Sequence, residues 1–177
     1  MNIFFSKKNK KGFALVEMMV YLAIMTVVTI AMVNVVIVVI KSNKESFIDN
    51  NIKNSALSGL ERIVRETRSA SNIDYGQSVF NNSNGVLVLN STDQSGNPEV
   101  IKFYINSQIL KVDVSGASPS TGGILTLKGT RVTSLIFKPI NTSNSKAVKI
   151  EMVIESGEPS SVKTENFYST VILRGSY

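Results

Sequence analysis

The chain has 177 residues, with 19 Lys and Arg against 13 Asp and Glu, a formal charge of +6, and neither Cys nor His. That length suits one domain of ordinary size plus an appendage. Without Cys or His the chain can build no disulfide, zinc–thiolate site, cysteine nucleophile, Ser-His-Asp triad or HExxH metal centre, and no cofactor is expected.

Residues 1–12, MNIFFSKKNKKG, form a short basic head containing Lys7, Lys8, Lys10 and Lys11, with the character of a targeting segment. Those four lysines account for most of the net charge; the remainder is close to neutral, so the basicity is weak support for a nucleic-acid partner. From Phe13 to Ile40 the chain is apolar, with Glu17 its only charge. As a helix, Met18 to Ile40 would extend about 34 Å, enough to cross a hydrocarbon core of about 30 Å. The lysines before this run outnumber Lys41 and Lys44 after it, which Glu45 and Asp49 offset. That asymmetry predicts an N-terminus held in the cytoplasm and a remainder that is exported.

No proline interrupts Phe13 to Ile73, and beyond the apolar run the pattern narrows to a stripe. Ile48, Ile52, Ala56, Leu60, Ile63, Val64 and Thr67 fall at helical spacing, while Lys53, Glu61, Arg62, Arg65, Glu66 and Arg68 face elsewhere. Glu61 with Arg65 and Arg62 with Glu66 are spaced as helical ion pairs. One long helix is expected, with a membrane half over 13–40 and an amphipathic continuation over 41–75; a break at Ser42-Asn43 or Gly59 is the alternative. From residue 76 to 177 the texture is β-rich. Candidate strands are Val86–Asn90, Val100–Ile105, Ile109–Val114, Ile124–Lys128, Val132–Lys138, Ala147–Glu155 and Phe167–Arg174, with a tight hairpin at Asn106-Ser107. The prolines lie at or near strand ends or loops. The fold class that buries both apolar surfaces is α+β, a mostly antiparallel sheet wrapped on the stripe of the long helix.

The informative string is Lys10-Lys11-Gly12-Phe13-Ala14-Leu15-Val16-Glu17, followed directly by the apolar run. It resembles the processing site of type IV prepilins and type II secretion pseudopilins: a basic leader, Gly before the cut, Phe after it, and Glu four residues beyond. A conventional signal peptide is instead cut after an apolar core of about 7–15 residues. The resemblance implies a pilin-like fold and peptidase cleavage between Gly12 and Phe13 on the cytoplasmic side. It also implies N-methylation of Phe13 and a helix retained in the mature protein. In this family Glu17 would pair with the Phe13 amine of a neighbouring subunit; a carboxylate snorkelling at the helix end is the structural alternative. An ionised side chain in an apolar span costs about 2.5–3.5 kcal/mol at a bilayer centre, so it defaults to a functional role.

The partners implied are other pilin or pseudopilin subunits, the prepilin peptidase and methylase, and an inner-membrane assembly platform. The location implied is the inner membrane as a single-pass precursor with its N-terminus inside, then a cell-surface or periplasmic filament. Asn34 stands near where major pilins carry a helix-kinking proline, and the C-terminal disulfide of many pilins is absent. The stretch Leu57–Ser71 and the C-terminal Phe167–Arg174 look more like minor pilins and J-type pseudopilins, which favours a subunit that helps initiate or cap assembly. Retention of Glu17 argues against the extreme tip subunit.

Weaker signals have plainer explanations. Asp93, Ser95, Asn97 and Glu99 lack the glycine position and terminal acid of a calcium loop and are expected to form a connection. Arg62, Arg65 and Arg68 would suit a phosphate stripe, but interleaved Glu61 and Glu66 favour a solvated helix face. The chain is expected not to be an enzyme, since no close-spaced constellation nominates a catalytic site. The rival to a filament subunit is a non-polymerising single-pass membrane protein whose exported β-rich domain binds a ligand.

Overall fold

A computed structural model describes residues 11–93, 95–116, 122–142, 145–159 and 161–174, with Lys11, Gly12 and Phe13 given by their backbone. Among the described residues, one α-helix, α1 (Lys11–Ser69), is followed by eight strands: β1 (Asn72–Ile73), β2 (Leu87–Thr92), β3 (Pro98–Asn106), β4 (Ile109–Ser115), β5 (Gly123–Ile124), β6 (Thr130–Asn141), β7 (Lys146–Ser156) and β8 (Lys163–Ile172). The architecture is α+β, with antiparallel sheets and a single long N-terminal helix, as in pilin-like proteins. Two structural units divide between Glu45 and Ser46.

In the first unit every residue from Ala14 to Glu45 is exposed. Much of this stretch is Val and Ile, which lose side-chain freedom in a helix and are mediocre helix formers in water. A helix nevertheless forms because it satisfies every backbone amide and carbonyl within the segment, which a lone strand cannot do in an apolar phase. The hydroxyls of Thr26 and Thr29 are satisfied locally, donating to the carbonyls of Leu22 and Met25 at 2.5 and 2.7 Å. The stretch is long and apolar enough to cross a membrane.

The second unit begins at Ser46. Here α1 buries the predicted stripe: Ile48, Ile52, Ala56, Ile63 and Thr67 are buried, and Leu60 and Val64 pack against the core at its margin. Helical geometry is unbroken at Gly59, where a Cβ would meet Leu110 Cδ2 at 2.7 Å. Glycine serves there as a close-packing point between helix and sheet rather than as a hinge. Ser55, also buried, joins the helix to the turn before β6: its Oγ lies 3.0 Å from Thr130 Oγ1 and accepts the Leu127 amide at 3.0 Å. The stretch expected to stay helical to Tyr75 stops at Ser69, because Asn72 and Ile73 pair with Asn90 and Leu89 of β2.

The β-strands make two antiparallel sheets, β1-β2-β3-β4-β5 and β6-β7-β8, each in sequence order. Leu87, Leu89, Ile101, Phe103 and Leu110 from the first meet Leu135, Phe137, Ile150 and Met152 from the second in one core with Ile52 and Ile63. The β3–β4 hairpin closes on the Asn106–Ile109 pair, so its two turn residues are Ser107 and Gln108, one position later than expected. Both have positive φ, 52° and 62°, the handedness that matches strand twist in a two-residue hairpin. In β6 the register shifts between Val132 and Ser134. This bulge moves the buried positions from Val132 to Leu135 and Phe137, a change of phase that strict alternation would miss. Pro139 sits inside β6 opposite Val148, two residues short of the strand end. The candidate strand Ile124–Lys128 reduces to Gly123–Ile124.

The outer edge of β6 is closed by the segment before β2. Gly85 N donates to Leu135 O at 2.8 Å, Leu135 N to Ser83 O at 2.8 Å, and Asn81 N to Phe137 O at 2.9 Å. A Cβ on Gly85 would lie 2.6 Å from Leu135 O, a backbone atom held in that ladder. Chain beginning at Ser46 is expected to fold as a soluble monomer without membrane. In it, Gly85→Ala should lower stability by about 1–3 kcal/mol, measured by urea unfolding. Gly123→Ala, where a Cβ meets nothing within 4 Å, should stay within about 0.5 kcal/mol of the parent.

Candidate functional site

The first turns of α1 carry the residues that the sequence singles out. Lys7, Lys8 and Lys10 lie outside the described residues; Lys11, Gly12 and Phe13 open the helix as backbone. Glu17 follows Phe13 by four residues, just over one turn and about 6 Å along the axis. It is the only acidic or basic side chain from Ala14 to Ile40. Helical side chains lean toward the N-terminus and onto the turn before them, so a residue four positions later can reach back to Glu17. Tyr21 does so, its hydroxyl donating to Glu17 Oε1 at 3.2 Å. The sequence carried that signal as an aromatic hydroxyl at i+4 from a carboxylate, a partner for Glu17 besides the Phe13 amine or the membrane interface. Around the pair the surface is apolar: Val16 and Val20 flank it.

Residues 7–33 match the family model described as the prokaryotic N-terminal methylation motif. The chain carries the class III signal peptide of type IV pilins. Neither the curated proteins nor the solved structures contain a match to the chain. The motif supports a type IV pilin-like precursor of the kind processed by prepilin peptidase, and the apolar helix that follows is suited to anchoring in a membrane. The motif implies pilin subunits and that peptidase as partners in general terms, and it points to a structural subunit.

Several charged groups beyond the signal peptide are engaged with one another. Glu66 takes both Arg62 Nε at 2.9 Å and Arg65 Nε at 3.6 Å, so Arg65 turns to its neighbour rather than to Glu61 as the spacing had suggested. Arg68 closes the last helical turn, where the negative end of the helix dipole favours a cation. The Asp93 carboxylate folds onto its own loop, accepting the amides of Asn97 and Ser95 at 2.7 and 2.8 Å and Asn97 Nδ2 at 3.1 Å. The Asn97 amide above all holds the Asp93 carboxyl below its ordinary value. Among the described residues no group of three or more acidic side chains could hold a metal ion.

On the second sheet Lys138 Nζ and Lys149 Nζ approach Glu151 to 2.8 and 2.9 Å, and Lys149 also lies 5.7 Å from the centre of the Tyr168 ring. The hydrogen bond from Lys138, then that from Lys149, pulls the Glu151 carboxyl below its ordinary value of 4.5. A carboxyl with a depressed folded pKa stabilises above the unfolded value and loses that contribution as pH falls through the folded one. The pilin-like domain should therefore lose stability progressively below about pH 4.5. Glu151→Gln should flatten that acid limb without adding stability at neutral pH, read as unfolding midpoints between pH 3 and 7 at low salt.

Proposed function

We propose that the chain is a structural subunit of a type IV pilus or a type II secretion-like pseudopilus, cut by prepilin peptidase between Gly12 and Phe13, N-methylated at Phe13 and assembled through α1. The observation that carries this reading is the methylation motif at 7–33, whose part from Lys11 onward is helical and presents a lone carboxylate at Glu17 amid exposed apolar side chains. In this proposal residues 1–12 are the leader that is removed, 13–40 the membrane and polymerisation segment, 41–69 its amphipathic continuation and the remainder the β-rich domain. Lys7, Lys8, Lys10 and Lys11 hold the leader on the cytoplasmic side. Gly12 suits the cut because glycine weakens a helix by roughly 1 kcal/mol relative to Ala, easing the opening of the turn for a peptidase.

Cleavage leaves a cationic amine on Phe13, and methylation preserves that charge. Glu17 supplies the opposite charge, and in the dry space between packed helices the pair attracts far more strongly than in water. The pairing is between subunits, which makes the assembly step depend on processing. A role as a minor subunit that initiates or caps the filament rests on the likeness of Leu57–Ser71 and Phe167–Arg174 to minor and J-type proteins. The single-pass binding protein that does not polymerise predicts a full-length mature chain, so the two readings part on size.

Intact mass and N-terminal sequencing of the filament-associated protein should give a chain beginning at methylated Phe13. Residues 1–12 retained on the assembled protein, or a cut after the apolar run, would refute the proposal. Glu17→Val should insert and be cleaved normally, because the segment becomes more apolar and Gly12-Phe13 is intact. Its share in sheared filaments should fall by at least about tenfold, since the neighbouring amine is then buried without a counter-charge. Equal partition of mutant and wild type between membrane and filament would make Glu17 a snorkelling residue only.

A further inference from the structure

The carboxylate at Glu17 has a potential partner one turn away on each side. Phe13, four residues before it, would carry the new amine after cleavage; Tyr21, four residues after it, carries the hydroxyl that reaches it at 3.2 Å. Were Glu17 free, its own amine would be its nearest cation, on the same helix and always present. An internal pair of that kind competes with any pair between subunits, because its partner is already at hand and needs no association.

We propose that Tyr21 is a positioning residue for assembly: its hydroxyl engages Oε1 of the Glu17 carboxylate, competes there with the amine of its own chain, and keeps the carboxylate presented for the amine of a neighbour. The inference rests on the proposed subunit function and adds to it the device that favours the intermolecular pair. Two features support the assignment. Tyr21 reaches Glu17 along the lean that helical side chains prefer, so the bond needs no unusual backbone. Its donation to Oε1 leaves Oε2 and the second lone pair of Oε1 open, since an ionised carboxylate accepts about four hydrogen bonds. The other hydroxyls of the apolar stretch, on Thr26 and Thr29, are spent on backbone carbonyls and offer Glu17 nothing. Tyr21 also solvates an ionised group in an apolar phase, where an unmatched charge is least tolerated. Its exposed ring keeps the pair within an apolar surface, so the device does not interrupt the lipid-facing helix.

The test uses the full chain in its native membrane with its assembly machinery, comparing wild type, Tyr21→Phe, Glu17→Val and the double variant. Tyr21→Phe removes one oxygen and retains the ring, so insertion and cleavage should be unchanged. Filament incorporation should fall by about tenfold, the order expected for losing a hydrogen bond to a charged group. In the Glu17→Val background the same substitution should change nothing further, because Tyr21 acts through Glu17. Infrared difference spectra of the purified full chain in lipid vesicles, taken against Glu17→Gln, should show the Glu17 carboxylate stretch shifted by Tyr21→Phe. An equal loss from Tyr21→Phe with and without Glu17 would make Tyr21 a packing residue and overturn the proposal. So would normal incorporation of Tyr21→Phe alongside a defective Glu17→Val, an outcome that leaves the subunit function standing. Normal incorporation of Glu17→Val itself would remove both.

Discussion

The exposed apolar surface of the N-terminal half of α1 is the constraint on which everything else depends. About twenty large apolar side chains between Leu15 and Ile40 stand open. At roughly 1.5–3 kcal/mol for each side chain taken from water, the driving force to cover them is tens of kcal/mol. Against that, carrying one ionised Glu into the membrane costs only about 2.5–3.5 kcal/mol even at the bilayer centre. The balance favours an apolar phase for this segment, with Glu17 carried along. A domain stability of about 5–15 kcal/mol could not hold such a surface in water.

Lipid and packed helices are nearly equivalent solvents for Val and Ile. Moving the segment from a bilayer into a bundle of its own kind therefore gains little from hydrophobic burial, and close packing and polar contacts must supply the difference. In the proposed function this makes the few polar groups of the span decisive out of proportion to their number. Thr26 and Thr29 are closed on their own helix and contribute no directionality. Glu17, with Tyr21 beside it, has capacity left over, and a charge needing a counter-charge at a fixed depth sets the register between neighbouring helices.

The second unit answers a different constraint with the same helix. Beyond Ser46 the apolar surface narrows until the two sheets can cover it, and the charged residues move to the other faces. That much was legible in the sequence, because helical spacing from Ile48 to Thr67 and β-alternation in Val148–Ile154 are local patterns enforced by burial on one side. The match of residues 7–33 to the methylation motif agrees with the string from Lys10 to Glu17 for a similar reason: the basic head, Gly12-Phe13 and the lone charge at Glu17 are contiguous in the chain.

What escaped the sequence depends on partners far along the chain. Two sheets rather than one follow from the 81–85 segment lying on the edge of β6, a pairing of residues about fifty positions apart that no local period announces. The bulge after Val132 shifts the buried set by one residue, so a strict period of two assigns Ser134 and Ile136 inward where Leu135 and Phe137 go. Gly59 looked like a break because glycine weakens helices; its reason is Leu110, fifty-one residues later, pressing where a side chain would stand. The Val-rich span shows the opposite case. Its residues individually favour strand, yet length and the need to satisfy every backbone amide in an apolar phase outweigh propensity, since each unmet group costs several kcal/mol against tenths for a poor helix former. Tyr21 falls between these cases: its spacing from Glu17 was visible, but in an apolar run an aromatic ring reads as bulk until its hydroxyl is seen on the carboxylate.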